Sequence, residues 1–181
     1  VLASALLFMA AVAALGLSAP VAAEEARETR RAESLDPNVA RDLLGAYEKL
    51  QNEAYAEALA ELDRLMQRRG ESMKPFDRAS VLQIRGAAKV SLDRYAPAIQ
   101  DFEAALRLDA LPAAQNEQLR YNIAQLHFQT ENYAQAVRHF NDWLAKAETP
   151  SDNAYYMLAA AHYYQKQYAN ARAPIERAMQ L

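Results

Sequence analysis

Three histidines are the side chains in this sequence best suited to chemistry at neutral pH, since imidazole binds metal ions and moves protons there. His127 and His162 lie 35 residues apart, a spacing that returns below as a structural period. Equivalent positions in a stack of helix pairs sit on the order of 10 Å apart for each packed layer. A zinc ion, whose ligand bonds are about 2 Å long, cannot take both. His139 falls on a different helix. All three read as packing residues, and no metal site or cofactor is expected. The carboxylates Glu57, Asp63, Asp101 and Glu103 fall on helix faces expected to be solvated. The chain has no Gly-rich phosphate loop, no Gly-x-Ser-x-Gly elbow and no His-Glu-x-x-His pair. No catalytic residue is assigned, and the expectation is a non-enzyme.

The elements that would position these groups are written in a repeat. Ala54-Tyr55-Ala56-Glu57-Ala58, Arg94-Tyr95-Ala96-Pro97-Ala98, Asn132-Tyr133-Ala134-Gln135-Ala136 and Gln167-Tyr168-Ala169-Asn170-Ala171 share one pattern. Their tyrosines are 40, 38 and 35 residues apart. A tyrosine followed three residues on by alanine, at such a period, predicts stacked helical hairpins. The first hairpin is expected near Pro37–Asn52 and Tyr55–Arg69, the second near Phe76–Leu92 and Tyr95–Leu108. The third is expected near Pro112–Thr130 and Tyr133–Ala147, the fourth near Asp152–Gln165 and Tyr168–Gln180. Proline at the first helical position and Ser151 as an N-cap mark helix starts. In each hairpin a small residue of the first helix (Gly45, Gly86, Ala124, Ala159) should face an alanine of the second (Ala58, Ala98, Ala136, Ala171). Leu62, Phe102, Phe140 and Ile175 should then reach the next hairpin.

Composition supports this reading. Only four of 181 residues are glycine, and Ala, Leu, Gln and Glu are abundant, which favours helix throughout. A net charge of −3 argues against a nucleic-acid partner. There is no cysteine, hence no disulfide and no lipid-modified cysteine. Val1 to Leu17 is almost wholly apolar, and Pro20-Val21-Ala22-Ala23 offers small residues for cleavage. Residues 1–23 are therefore expected to be a signal peptide, and 24–35 a flexible linker. An uncleaved anchor is the alternative, and would be the only membrane contact; Gly16, Pro20 and the Ala-rich exit favour cleavage. The array itself is expected over residues 36–181. Its apolar end (Ala178, Met179, Leu181) lacks a polar capping helix, so further repeats or another subunit are expected there.

These features resemble the tetratricopeptide repeat (TPR) family. The second repeat carries Gly86, Tyr95, Ala98, Phe102 and Ala105, the third Ile123, Ala124, Tyr133, Ala136 and Phe140. The fourth carries Leu158, Ala159, Tyr168, Ala171 and Ala178. The resemblance implies an all-α, right-handed α-solenoid of about four TPR hairpins. Trp143 replaces the usual small residue late in the third repeat, which predicts local repacking. A narrower resemblance is to exported TPR proteins of the bacterial TonB system. It is carried by Asp36-Pro37-Asn38-Val39-Ala40, Tyr55-Ala56-Glu57-Ala58-Leu59, Asn122-Ile123-Ala124-Gln125-Leu126-His127-Phe128, Tyr133-Ala134-Gln135-Ala136-Val137, Trp143-Leu144-Ala145 and Ala154-Tyr155-Tyr156-Met157-Leu158-Ala159. It implies a periplasmic scaffold working with TonB, ExbB and ExbD, with TonB, ExbD or an outer-membrane receptor as partner.

The first helices of a TPR array line its concave face. Partner-binding residues are therefore expected at Gln83, Tyr121, Gln125, Phe128, Gln129, Asn153, Tyr156 and Tyr163, with Ala87, Ala160 and Tyr164 beside them. Aromatic and amide groups suit an extended protein segment. Some of these tyrosines must pack internally, because Tyr155, Tyr156, Tyr163 and Tyr164 cover more than one helical face. Gln83, Ala87, Tyr121 and Gln125 lack the positive charge of the TPR proteins that clamp chaperone C-terminal carboxylates. Two other readings stay open: an assembly factor for pili, outer-membrane proteins or cell wall, and the regulatory part of a larger envelope enzyme.

Overall fold

The computed structural model describes residues 34–147 and 149–181. The expected signal peptide, and residues 24–33 of the expected linker, lie outside them. Among the described residues there are eight α-helices and no strand: α1 (Pro37–Gln51), α2 (Tyr55–Arg69), α3 (Pro75–Ser91), α4 (Tyr95–Leu108), α5 (Ala113–Gln129), α6 (Tyr133–Leu144), α7 (Asp152–Tyr164) and α8 (Tyr168–Ala178). Successive helices pack as four antiparallel hairpins, and each second helix also packs on the first helix of the next hairpin. No described helix is long and apolar enough to cross a membrane.

Each second helix starts on its repeat tyrosine, as the sequence pattern requires. The turn before it is the same in all four hairpins. Glu53, Asp93, Glu131 and Lys166 adopt left-handed backbone conformations, with φ of 59°, 57°, 60° and 62°. In the third hairpin Asn132 N donates to His127 O (2.8 Å) and Glu131 N to Phe128 O (3.0 Å). The same pair of bonds closes α1, α3 and α7, through Ala54 N to Lys49 O, Arg94 N to Lys89 O and Gln167 N to His162 O. This is a Schellman closure, which satisfies the last carbonyls of a helix and reverses the chain. The three-residue turn is thus constant. The unequal tyrosine spacing is absorbed by helix length and by the links between hairpins.

Several helices are shorter than the sequence predicts. α6 stops at Leu144 rather than Ala147, because Lys146 N and Ala147 N both bond Trp143 O in a turn. α8 stops at Ala178 rather than Gln180. At the other end, Asp36 caps α1 by accepting from Asn38 N (2.9 Å) and Val39 N (3.3 Å). These two bonds, foremost, hold its carboxyl below the usual range. Asp36 N in turn donates to buried Asp77 Oδ1 (3.1 Å), which ties the start of the first hairpin to the second.

Three apolar clusters fill the joints. Val39, Leu43, Leu62 and Leu65 meet Val81 and Ala88 between the first two hairpins. Phe102, Ile99 and Leu82 meet Leu111, Leu119 and Ile123 between the second and third. Phe140 and Trp143 meet Ala154, Leu158 and Ala161 between the third and fourth. Ala58, Ala98 and Ala136 are completely buried, in keeping with their crossing role. Over Gly86, however, lies the Phe102 ring, one turn beyond the expected Ala98. A Cβ on Gly86 would fall 2.6 Å from Phe102 Cδ1 and closer still to Cε1. At Gly45 the nearest such atom is Glu61 Oε2 at 3.8 Å, so the crossing there is open.

One expectation is overturned here. Asp101 is buried, not solvated, with 4% of its surface exposed. Its Oδ1 accepts from Arg85 Nη2 (2.5 Å), and its Oδ2 from Arg85 Nε (2.9 Å) and Lys89 Nζ (2.6 Å). Two cations from α3 thus compensate one desolvated carboxylate on α4. The bond to Asp101 is the main cause that raises the Arg85 pKa above its ordinary value. Asp63 also reaches Arg85 Nη1 (3.4 Å) but stays half-exposed.

Candidate functional site

The expected groove residues sit on α3, α5 and α7, the first helices of the second, third and fourth hairpins. The structure sorts them into two groups. Tyr121, Gln125 and Asn153 form the first, joined by Met157. Asn153 Nδ2 donates to Tyr121 Oη (2.9 Å) and lies 3.8 Å from Met157 Sδ. Gln125 Nε2 approaches the same sulfur at 4.0 Å. The Tyr121 ring leans on Trp143 (centroids 4.9 Å apart) and meets Phe140 edge-on (6.0 Å). Trp143 does repack the third repeat, by filling the space under Tyr121.

The second group is an aromatic ladder at the hairpin-turn end. Phe128 meets Tyr133 (5.5 Å) and Tyr164 (6.1 Å) edge-on. Tyr133 stacks on Tyr164 (4.8 Å, 17° between planes). Tyr163 then touches both Tyr164 (6.0 Å) and Tyr168 (5.3 Å). Burial raises the Tyr133 pKa, so its hydroxyl stays neutral at physiological pH. Gln129 extends the row toward the second hairpin: its Nε2 donates to Tyr95 Oη (2.7 Å), which itself donates to Asp93 Oδ1 (2.5 Å). That last bond is the main reason the Tyr95 hydroxyl titrates above its ordinary range.

Gln83 is half-buried on α3 and lies outside both groups. Tyr156 stands 58% exposed on α7. Tyr163, Tyr164 and Tyr168 are also more than half exposed. The sequence points to Tyr163 and Tyr164 but not to the part of Tyr133 and Tyr168 in the ladder. Their repeat position was the available signal: the tyrosine opening a second helix faces the end of the preceding first helix across a three-residue turn. Met157 was also missed, although it stands one turn from Asn153 on the same face.

The spacing of His127 and His162 holds them in successive hairpins, and the close histidine contact lies within the third. His127 stacks on His139, not on His162 (centroids 5.0 Å apart, 19° between planes). Burial lowers the pKa of both. For His127 the charge of His139 is the next cause, and for His139 that of Arg138. His162 instead bonds Gln167 Oε1 through Nδ1 (2.8 Å) within the fourth turn.

Residues 79–110, spanning α3, α4 and their turn, match the tetratricopeptide repeat family. By sequence, no curated protein matches the chain. Among solved structures, MamA (residue 41 to the end) from Desulfovibrio magneticus RS-1 superposes with a TM-score of 0.66 at 18% identity. The match covers 81% of this chain and 77% of that one. A second MamA structure gives 0.65 at 15% identity, over 79% and 72% of the two chains. A tetratricopeptide repeat protein from Parabacteroides merdae ATCC 43184 gives 0.55 at 22% identity. There the match covers 79% of this chain and 52% of the longer one. Four hairpins with a shared turn, a matched repeat and these neighbours together make the fold that of a tetratricopeptide repeat solenoid.

Proposed function

We propose that this chain is a non-enzymatic protein-interaction scaffold whose first-helix face docks an extended segment of a partner protein. The observation that carries this reading is the exposed aromatic ladder. Tyr163, Tyr164 and Tyr168 keep 60%, 57% and 58% of their surface in solvent while ring contacts fix their orientation. Rigid, exposed tyrosines supply apolar area and a hydrogen-bonding tip at low entropic cost. The amides of Gln83, Gln125, Gln129 and Asn153 add donors and acceptors for a peptide backbone. Because the helices are already packed, docking orders only the partner.

The setting we propose is the periplasm, with TonB, ExbD or an outer-membrane receptor as partner. It rests on the apolar Val1–Leu17 stretch and on the resemblance of segments such as Asn122–Phe128 to exported proteins of that system. The experiment is photo-crosslinking in cells from probes at Tyr156 and Tyr163, with a probe at Gln100 on α4 as the opposite-face control. Capture of a TonB-system protein from the first two sites alone supports both the surface and the setting. Capture there of a pilus or wall-assembly protein keeps the surface and discards the setting. Capture from Gln100 alone overturns the surface.

A further inference from the structure

Glu103, His127 and His139 come from α4, α5 and α6, three helices of two neighbouring hairpins, and each is half-buried. One ligand-capable atom from each lies within 4.8 Å of the other two. We propose that these three side chains form a zinc-type metal site, with two imidazole nitrogens and one carboxylate oxygen as ligands and a fourth position open to water.

The donor set selects the class of ion. Two imidazoles with one carboxylate suit zinc and its neighbours among the divalent transition metals, whereas calcium and magnesium require an all-oxygen shell. The spacing needs modest closure. Tetrahedral ligands with bonds of about 2.0–2.2 Å stand roughly 3.3–3.6 Å apart, so the donors must approach by about 1 Å. The near-parallel His127 and His139 rings (19° between planes) must also turn about χ2, a broad torsion, so that their in-plane lone pairs converge on one point. What surrounds the donors yields easily. Arg107 Nη1 lies 3.8 Å from Glu103 Oε2 across one exposed helical turn, a weak pairing. Arg138 Nη2 lies 3.1 Å from His139 Nε2, and Arg138 is exposed and free to swing into solvent. The helices carrying the ligands, by contrast, are fixed by the buried cluster around Phe102 and Ile123 and the one around Phe140. A bound ion would lock the second hairpin to the third. The site does not depend on the docking surface, and neither reading stands or falls with the other.

The test is titration of the purified, metal-free full chain with Zn2+, and separately with Co2+, whose absorption reports coordination geometry. Expected are one ion per chain, a tetrahedral Co2+ spectrum and a raised Tm with zinc. In His139→Gln and Glu103→Gln the Kd should rise about tenfold or more, since each removes one of three ligands. His162→Gln should bind as the parent does. Circular dichroism establishes that each variant is folded; if His139→Gln is not, Glu103→Gln, at a half-exposed position, carries the test. Absence of saturable one-to-one binding would overturn the proposal. So would unchanged affinity in folded Glu103→Gln, or binding of Mg2+ as tight as that of Zn2+.

Discussion

The second hairpin and the fourth follow the same repeat and differ in how their second helices are held. α4 buries Ala98, Ile99, Asp101, Phe102 and Ala105, while α8 buries no residue and carries Pro174 in its interior. Proline there removes one helical hydrogen bond. The Phe102 side chain lies between Gly86 of its own hairpin and Leu119 and Ile123 of the next. Ile175, at the matching position, is half-buried, and among the described residues the main packing on α8 comes from α7. A second helix in such a stack takes much of its stability from the following hairpin rather than from its own sequence. Tyr95 is half-buried and tied to Asp93 and Gln129, whereas its counterpart Tyr168 is 58% exposed and touches Tyr163.

The largest expected effect contrasts the two matching positions. Phe102→Ala should cost about 3–5 kcal/mol in denaturant unfolding, and Ile175→Ala under about 1 kcal/mol, because only the first leaves a closed cavity. Comparable losses at both would mean that Ile175 is packed as closely as Phe102. Next come the charges. Asp101→Asn should cost about 3–5 kcal/mol, since it leaves Arg85 and Lys89 facing each other with little solvent. Glu176→Gln, which removes the exposed Arg172–Glu176 pair of α8, should cost no more than about 0.5 kcal/mol.

A third pair differs in sign. Gly86→Ala forces a methyl group into the Phe102 ring and should destabilise by about 1–3 kcal/mol. Gly45→Ala meets open space and should stabilise by about 0.5–1 kcal/mol through helix propensity. Thermal unfolding of the two single variants decides it: a gain at Gly86, or a loss at Gly45, would mean that the crossings pack otherwise.

The turns should show effects of the size expected at Gly45. Lys166→Gly relieves a left-handed backbone and should stabilise by about 0.5–1 kcal/mol. Asp93→Gly gives the same relief but loses the bond to Tyr95, so its change in Tm should be smaller than that of Lys166→Gly.

These turns also mark the reach of the sequence. Tyr55, Tyr95, Tyr133 and Tyr168 gave the start of every second helix, because the tyrosine and the following alanine serve one local packing function. The left-handed positions were not legible, since Glu, Asp, Glu and Lys occupy places where glycine or asparagine is the usual signal. Asp101 looked solvated because its partners, Arg85 and Lys89, lie on another helix and meet it only once the hairpin closes. The His127–His139 stack was hidden for a related reason. Sequence period relates His127 to His162 along the array, whereas the contact with His139 depends on the crossing of α5 and α6. In the groove, residue types and the first-helix assignment were readable. Which tyrosines join one ladder was not, because Tyr133 reaches Tyr164 across two hairpins.

The packing of α4 between two hairpins, and the exposure of Tyr163, Tyr164 and Tyr168 where we propose a partner docks, can be compared in one experiment. It is hydrogen exchange on the full chain, alone and then with the crosslinked partner. Alone, amides of α3 and α4 should exchange near the global unfolding limit, and those of α8 orders of magnitude faster. With partner bound, protection should rise in α7 and α8 and stay unchanged in α4. Equal protection of α4 and α8 in the free chain would rule out the packing difference, and new protection confined to α4 and α6 would place the partner elsewhere.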